Sequence, residues 1–484
     1  MSEIHAETVP FVRDTMLPPQ PPPPGGQGAV GWLRQNLFSG WVNSLLTVLG
    51  LVIIWLLVSH FWPWFAHSVW RADSLKECRE IIAATWGPDA TGACFAVVRE
   101  RWHQYLFGFY PRAEYWRPIL TMGLLFVALA PVLFSVSAAI RLRVLVGGGL
   151  LTLALMYVAG VGLPAMGFTL ALFALALFLA RSAPRGLLWF TLLYPFAGVW
   201  LLWGGTLWLP LMVLAGAGVG LMIARLLATR LPALAPLIGV AATVLFLALL
   251  AAPLAQVAAR TLPLWLPTVE SREFGGFLLA VVIGVSGIAM SLPLGIVLAL
   301  ARRSEMFLIR IFAVVFIEFI RGVPLITLLF VASMLLNYFL PPGTNFDIIL
   351  RVIIMVTIFA AAYMAEVIRG GLAALPRGQY EASDSLGLTY WQAQRLIVLP
   401  QALKISIPGI VGTFIGMFKD TTLVGLIGLY EPLKGISDFV RADFAWKGIY
   451  WEPFVFVGAI FFSICFAMSR YSMYLERRLS REHR

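Results

Sequence analysis

The sequence predicts an all-α integral membrane protein of about 12 transmembrane helices, and three observations lead there. Of 484 residues, 60% are hydrophobic and only 12% charged, against roughly a quarter charged in soluble chains. Mean hydropathy is +0.87, and apolar runs of about 20 residues recur, the length a helix needs to cross the hydrocarbon core. Those runs do not alternate apolar with polar positions over about 10 residues, which excludes a membrane β-barrel. The net charge of +11 reads as cytoplasmic loops under the positive-inside rule, and no nucleic-acid partner is expected. Three cysteines and five histidines make no metal cluster, so no metal site is expected.

Residues 1–40 come first, as a disordered cytosolic tail and an interfacial segment. The tail holds Pro18, Pro19 and Pro21 to Pro24 followed by Gly25 and Gly26, and it has the composition of disorder, not of a cleavable signal. The first span is expected at 41–61. A mixed-charge stretch follows at 62–117, large enough for a small subdomain. One crossing from a cytosolic tail puts it in the periplasm, where a disulfide between Cys78 and Cys94 would persist and close a loop worth roughly 3 kcal/mol. His67 and His103 lie in the same stretch without a carboxylate or cysteine at ligand spacing, so they read as ordinary loop residues.

The additional transmembrane helices occupy 118–258. Between Arg117 and Glu270 there is no Asp or Glu, and the cations before Arg260 come in pairs: Arg141 with Arg143, Arg181 with Arg185, Arg225 with Arg230. The intervals between pairs, 144–180 and 186–224, hold 37 and 39 residues, each two spans long, so every pair returns to the same side. One further span is expected at 236–254. The segment 259–484 differs in texture, because polar and charged residues there sit close to or inside apolar runs, and in a membrane such residues mark the working part. Five spans are expected in it: 276–300, 323–338, 348–368, 405–429 and 453–474. The count of 12 returns the basic C-terminus to the cytosol with the N-terminus.

A loop at about 376–403 decides the function. Glu381, Ala382 and Ser383 are followed by three residues and Gly387, then by nine residues and Ile397, Leu399 and Pro400. Taken as residues, 380–386 is a short helix ended at Gly387 by a positive φ, and 388–398 is a second helix stopped by Pro400. Two helices hinged at a glycine make an elbow that can be gripped as a rigid body.

This spacing resembles the EAA loop of ATP-binding-cassette importer permeases, with Ser383 for the second alanine. Glu318, Arg321, Gly322, Pro324 and Leu325 resemble the E-x-x-R-G-x-P-L motif of the polar amino acid permease family. Ala365, Glu366, Arg369, Gly370 and Gly371, then Pro376, Gly378 and Gln379, resemble its A-E-x-x-R-G-G segment, and Lys419 to Leu423 its K-D-T-S-L. The agreement extends to Tyr363, Met364 and Tyr380, and looks closest to the larger permease subunits of general L-amino acid transporters. The resemblance covers roughly 265–475.

It implies a type I importer permease core built from the last five helices, with the elbow docked on a separate ATP-binding subunit dimer. It also implies a second, homologous permease and a periplasmic amino-acid-binding protein as partners in the bacterial inner membrane. No catalytic residue or cofactor is expected in the chain itself. It lacks G-x-x-x-x-G-K-[ST], so ATP and magnesium belong to the partner. A candidate pathway or gate consists of Glu318, Arg321, Glu366, Lys419, Asp420, Thr421 and Thr422. Lys419 and Asp420 lie some 21 Å along their helix, where they either meet a zwitterion or hold a helix break by pairing. A secondary amino acid transporter, the alternative, would share buried charges and broken helices but has no use for the elbow.

Overall fold

The computed structural model describes residues 28–481 except 136, 232–233, 336–337, 339–345 and 441; of the tail and interfacial segment expected at 1–40, residues 1–27 lie outside them. Among the described residues, 10 helices are long and apolar enough to cross a membrane, or up to 12 if each of two bent pairs is one span. The chain divides into two units, one of residues up to Trp70 with Lys76–Cys94, the other of Arg71–Leu75 with everything from Phe95 onward. Residues 62–117 are thus shared between them.

In the first unit, α1 (Gly28–Asn36) leads to α2 (Trp41–Ala66), a 26-residue apolar helix with no buried residue. Beyond α2 the chain folds on itself. Val69 N–H donates to the Ala93 carbonyl and Ala93 N–H to that of Trp64, both at 2.8 Å. His67 stacks on Trp86 at 4.3 Å between centroids, at the end of α3 (Leu75–Trp86). Cys78 and Cys94 are joined as a disulfide, their Cα atoms 6.2 Å apart.

The second unit begins with α4 (Ala96–Phe107) and continues through α5 (Trp116–Leu133), α6 (Ala138–Val158), α7 (Leu163–Ser182), α8 (Gly186–Trp203) and α9 (Trp208–Leu227). The fully buried Arg117 ties this group together. Its guanidinium donates to the carbonyls of Leu201 at 2.5 Å and Pro267 at 2.8 Å, and Glu114 lies 3.6 Å away. A buried cation survives only with such partners. The single span expected at 236–254 is instead bent by 54° between α10 (Ala235–Leu249) and α11 (Ala251–Thr261). Pro253 has no N–H to give the Leu249 carbonyl, which explains the bend. A two-stranded antiparallel ribbon, β1 (Gly205–Thr206) with β2 (Trp265–Leu266), pairs Gly205 with Leu266 and Thr206 with Trp265.

Then come α12 (Gly276–Arg302), α13 (Phe307–Gly322), α14 (Leu325–Phe330), α15 (Ile348–Ala373), α16 (Gly378–Ser385), α17 (Tyr390–Ala393), α18 (Leu399–Asp420), α19 (Pro432–Gly435) and α20 (Trp451–Arg481). The expectation of a straight span at 323–338 is corrected here. Residues 307–322, outside the expected spans, form an amphipathic helix, and the helical chain from 325 to 335 turns away from it by 100°. Pro324 is the cause, since the residue before a proline is pushed out of the α region, and Val323 is extended at φ −102°, ψ 131°. The pattern was hard to read because Arg310, Glu318 and Arg321 interrupt the apolar run.

α12 and α15 pack closely because their shared face is small. Ala360, Ala361, Ala362 and Ala365 are buried on α15, and a Cβ at Gly295 would lie 2.7 Å from the Met364 side chain. The additional helices share this core. Phe274, just before α12, is stacked by Trp203 at 4.6 Å and met edge-on by Tyr110, and Tyr471 of α20 donates to the Leu133 carbonyl of α5 at 2.7 Å. Burying two such aromatic bodies contributes on the order of 1.5–3 kcal/mol each, so α5 to α8 brace both α12 and α20.

Candidate functional site

Three groups of expected residues emerge, two of them adjoining. The elbow is the first. α16 ends at Leu386, and Gly387 follows with φ +67°. Gly387 N–H donates to the Asp384 carbonyl at 2.9 Å and Leu388 N–H to that of Ser383 at 3.2 Å, the paired bonds of a Schellman ending. Ser383 is buried and its hydroxyl donates to the Tyr380 carbonyl at 2.7 Å, while Glu381 and Ala382 are exposed. α17 starts with a capping box in which Thr389 N–H donates to Gln392 Oε1 at 2.9 Å. The expectation that Pro400 stops this helix is corrected: the chain is helical from Tyr390 to Ile427, through a π turn at Gln394–Val398. Pro400 lies inside this continuous helix just after the π turn, where it has no N–H to donate to the turn before it and yet does not end the helix. Ile397 and Leu399 are half-buried beside the fully buried Val398. Leu386, Tyr390 and Trp391 are exposed around the hinge.

The second group is a charge cluster in which α12, α13 and α15 meet. Glu318, Arg321 and Glu366 were expected at a site; Arg302 and Arg369 complete it. Arg302 lies 2.8 Å from both Glu318 and Glu366, Arg321 3.8 Å from both, and Arg369 3.0 Å from Glu366. Three arginines against two glutamates leave one positive charge, so each carboxylate is shared and no ion is isolated. The i,i+3 pairs Glu318/Arg321 and Glu366/Arg369 are legible as helix neighbours. Arg302, on another helix, is not.

The third group lies next to the second. A cavity of about 280 Å³ between α15 and α18 is lined by Phe359, Ala360, Tyr363, Thr413, Gly416, Met417 and Asp420. Tyr363 belongs to both groups, because the Arg321 guanidinium sits 5.5 Å from its ring centroid. Asp420 is half-buried on the cavity wall, whereas Lys419 is exposed and does not line it. Among the described residues no ion pair joins Lys419 to Asp420. The helix breaks there all the same: α18 gives way at Thr421 to a 3-10 helix, Thr421–Ile427. Thr421 is buried and donates to the Phe418 carbonyl at 2.7 Å, and Thr422 to that of Lys419 at 2.9 Å. Cys78 and Cys94 belong to the other unit.

An elbow, a charge cluster and a mostly apolar cavity with one carboxylate in its wall thus lie on one set of membrane helices. The family model described as binding-protein-dependent transport system inner membrane component matches residues 291–481. The chain is 56% identical over 476 residues, 98% of its length and 99% of the relative's, to the glutamate/glutamine/aspartate/asparagine transport system permease protein BztC of Rhodobacter capsulatus. The chain belongs to the amino-acid ABC transporter permeases.

The permease is also 35% identical, over 96% of each chain, to the inner membrane amino-acid ABC transporter permease protein YhdY of Escherichia coli K12. A solved amino acid ABC transporter with histidines is 30% identical and covers 42% of this chain and 91% of its own, at a TM-score of 0.37. The permease is therefore a multi-pass inner-membrane subunit of an amino acid importer, a transporter component whose ATPase is a separate partner and whose family works with a binding protein. The family carries the EAA loop.

Proposed function

We propose that this permease imports acidic amino acids and their amides, through the cavity between α15 and α18, by movements that the elbow receives from the ATPase. The substrate class follows the printed name of the 56% identical relative. The observation that carries the pathway is the succession of cavity, Tyr363 and charge cluster on one line of contacts. Asp420 gives the cavity a single carboxylate, which suits the α-ammonium that all amino acids share and disfavours an acidic side chain at that spot. Below Tyr363 the cluster of Arg302, Glu318, Arg321, Glu366 and Arg369 closes the path as a gate and offers cations to the carboxylates of a passing substrate.

Residues 259–484 act as the permease core and 118–258 as added bracing. The termini and the arginine pairs lie on the cytosolic side with the elbow, which docks through Glu381 and the exposed Leu386, Tyr390 and Trp391 on an ATP-binding dimer holding ATP and magnesium. A homologous second permease covers the α18 face where Gly412 has nothing within 4 Å of a would-be Cβ. The test is uptake into proteoliposomes holding the permeases, ATPase and binding protein. ATP-dependent uptake of glutamate that glutamine, aspartate and asparagine compete for, and lysine does not, is expected; uptake indifferent to ATP or unaffected by those three competitors would refute it.

A further inference from the structure

The elbow and the charge cluster are joined by two consecutive residues at the end of α12. Arg302 holds Glu318 and Glu366, each at 2.8 Å. Arg303 points the other way. Its guanidinium donates to the Tyr380 hydroxyl at 2.9 Å and to the Leu372 carbonyl at 3.4 Å, and lies 5.5 Å from the Tyr380 ring centroid. Tyr380 is on α16, in the same helix as Glu381, and its hydroxyl also donates to the Leu372 carbonyl at 3.4 Å. One phenol thus fastens the elbow to the last turn of α15 and to the end of α12.

An arginine that both hydrogen-bonds a phenol and lies against its ring fixes distance and angle together, which a lysine's point charge does not. Peptide geometry sets neighbouring Cα atoms 3.80 Å apart, so a displacement of Arg303 moves Arg302 with it. The 2.8 Å hydrogen bond from Arg302 to Glu318 on α13 and the 2.8 Å ion-pair contact to Glu366 on α15 tolerate little displacement before they weaken.

We propose that Arg303 and Tyr380 are the positioning residues that convert movement of the elbow into opening of the Arg302–Glu318–Glu366 gate. Tyr380 senses the elbow, Arg303 carries the shift across one peptide, and Arg302 releases or regains its carboxylates. This rests on the reading that the elbow docks on the ATPase, and the experiment separates the two.

Tyr380→Phe keeps the ring and removes only the hydroxyl; Arg303→Lys keeps the charge but replaces the planar guanidinium by a single ammonium; Arg303→Gln removes the charge. Each is assembled with the ATPase, second permease and binding protein in proteoliposomes, and three quantities are read: copurified ATPase, ATP hydrolysis and amino acid taken up per ATP. Wild-type amounts of ATPase, near-normal hydrolysis and uptake per ATP reduced by roughly tenfold are expected for Tyr380→Phe and Arg303→Gln. Arg303→Lys should recover part of the ratio, and the double variant Arg303→Gln with Tyr380→Phe should lose no more than either alone. An unchanged uptake-to-hydrolysis ratio in Tyr380→Phe overturns the relay, and so does additive loss in the double variant. Loss of copurified ATPase in Tyr380→Phe also overturns it, because the phenol would then belong to the docking surface. If the ATPase copurifies undiminished with a chain lacking residues 378–387, the docking reading fails instead.

Discussion

Gly387→Val tests whether the shape of the elbow matters to coupling. Gly387 stands at φ +67°, and no atom lies within 4 Å of a would-be Cβ. A side chain there meets no clash, so the whole penalty is in the backbone. For a β-branched residue at positive φ that penalty is on the order of 1 to 3 kcal/mol. Rotating to negative φ relieves it, but breaks the bonds from Gly387 N–H to Asp384 and from Leu388 N–H to Ser383 and swings α16 relative to α17. A cost of about 1 to 3 kcal/mol shifts the equilibrium between the native and the relaxed elbow by roughly 5- to 150-fold. The assay is ATP hydrolysis by the reconstituted importer, with and without binding protein and amino acid. Stimulation should fall, with the permease still present in the membrane. Gly387→Asn, whose short polar side chain tolerates the left-handed region, should remain close to wild type. Full stimulation in the valine variant would refute the reasoning, and so would equal loss in the asparagine variant, since glycine would then serve something other than its φ.

Four further outcomes are expected. Cys78 and Cys94 should resist thiol labelling of intact cells until a reductant is added; ready labelling before reduction would place them as free thiols. Asp420→Asn should lower uptake of acidic and amide substrates alike, by about tenfold or more if a charged hydrogen bond to the ammonium is lost, while Lys419→Met, at an exposed position, should change uptake far less; the reverse order would move the ammonium site away from Asp420. Glu366→Gln should loosen Arg302, Arg321 and Arg369 together and raise ATP hydrolysis in the absence of binding protein, and unchanged basal hydrolysis would count against the gate.

The last concerns pH. Glu431, 3% exposed, has its pKa pushed up to about 7 by burial, against the opposing pull of the Leu433 and Lys434 N–H groups and the Lys434 ammonium. Between its unfolded value and about 7 the folded chain holds a proton that the unfolded chain does not, so stability should decline as pH rises through that window. Glu431→Gln should flatten this dependence in thermal unfolding, and an identical slope in the variant would show that Glu431 does not titrate there.

Hydropathy, charge spacing and a single loop motif determined a great deal about this permease without any structure. Twenty-residue apolar runs without alternation cross a bilayer as helices, since a helix satisfies every backbone bond within itself. The elbow was legible because its chemistry is local: the turn at Gly387 depends on bonds between residues a few positions apart. Tertiary structure alone decided what depends on contacts between distant segments. The 100° turn at Pro324 hid an amphipathic helix whose charges break the apolar pattern, and their partners lie on α12 and α15. Arg302 and Arg303 belong to none of the sequence motifs, and only the fold brings Glu366, 64 positions away from Arg302, and Tyr380, 77 away from Arg303, within 3 Å of them. Lys419 and Asp420, adjacent in sequence, were separated by the helix itself: successive residues point about 100° apart, so Asp420 lines the cavity and Lys419 does not.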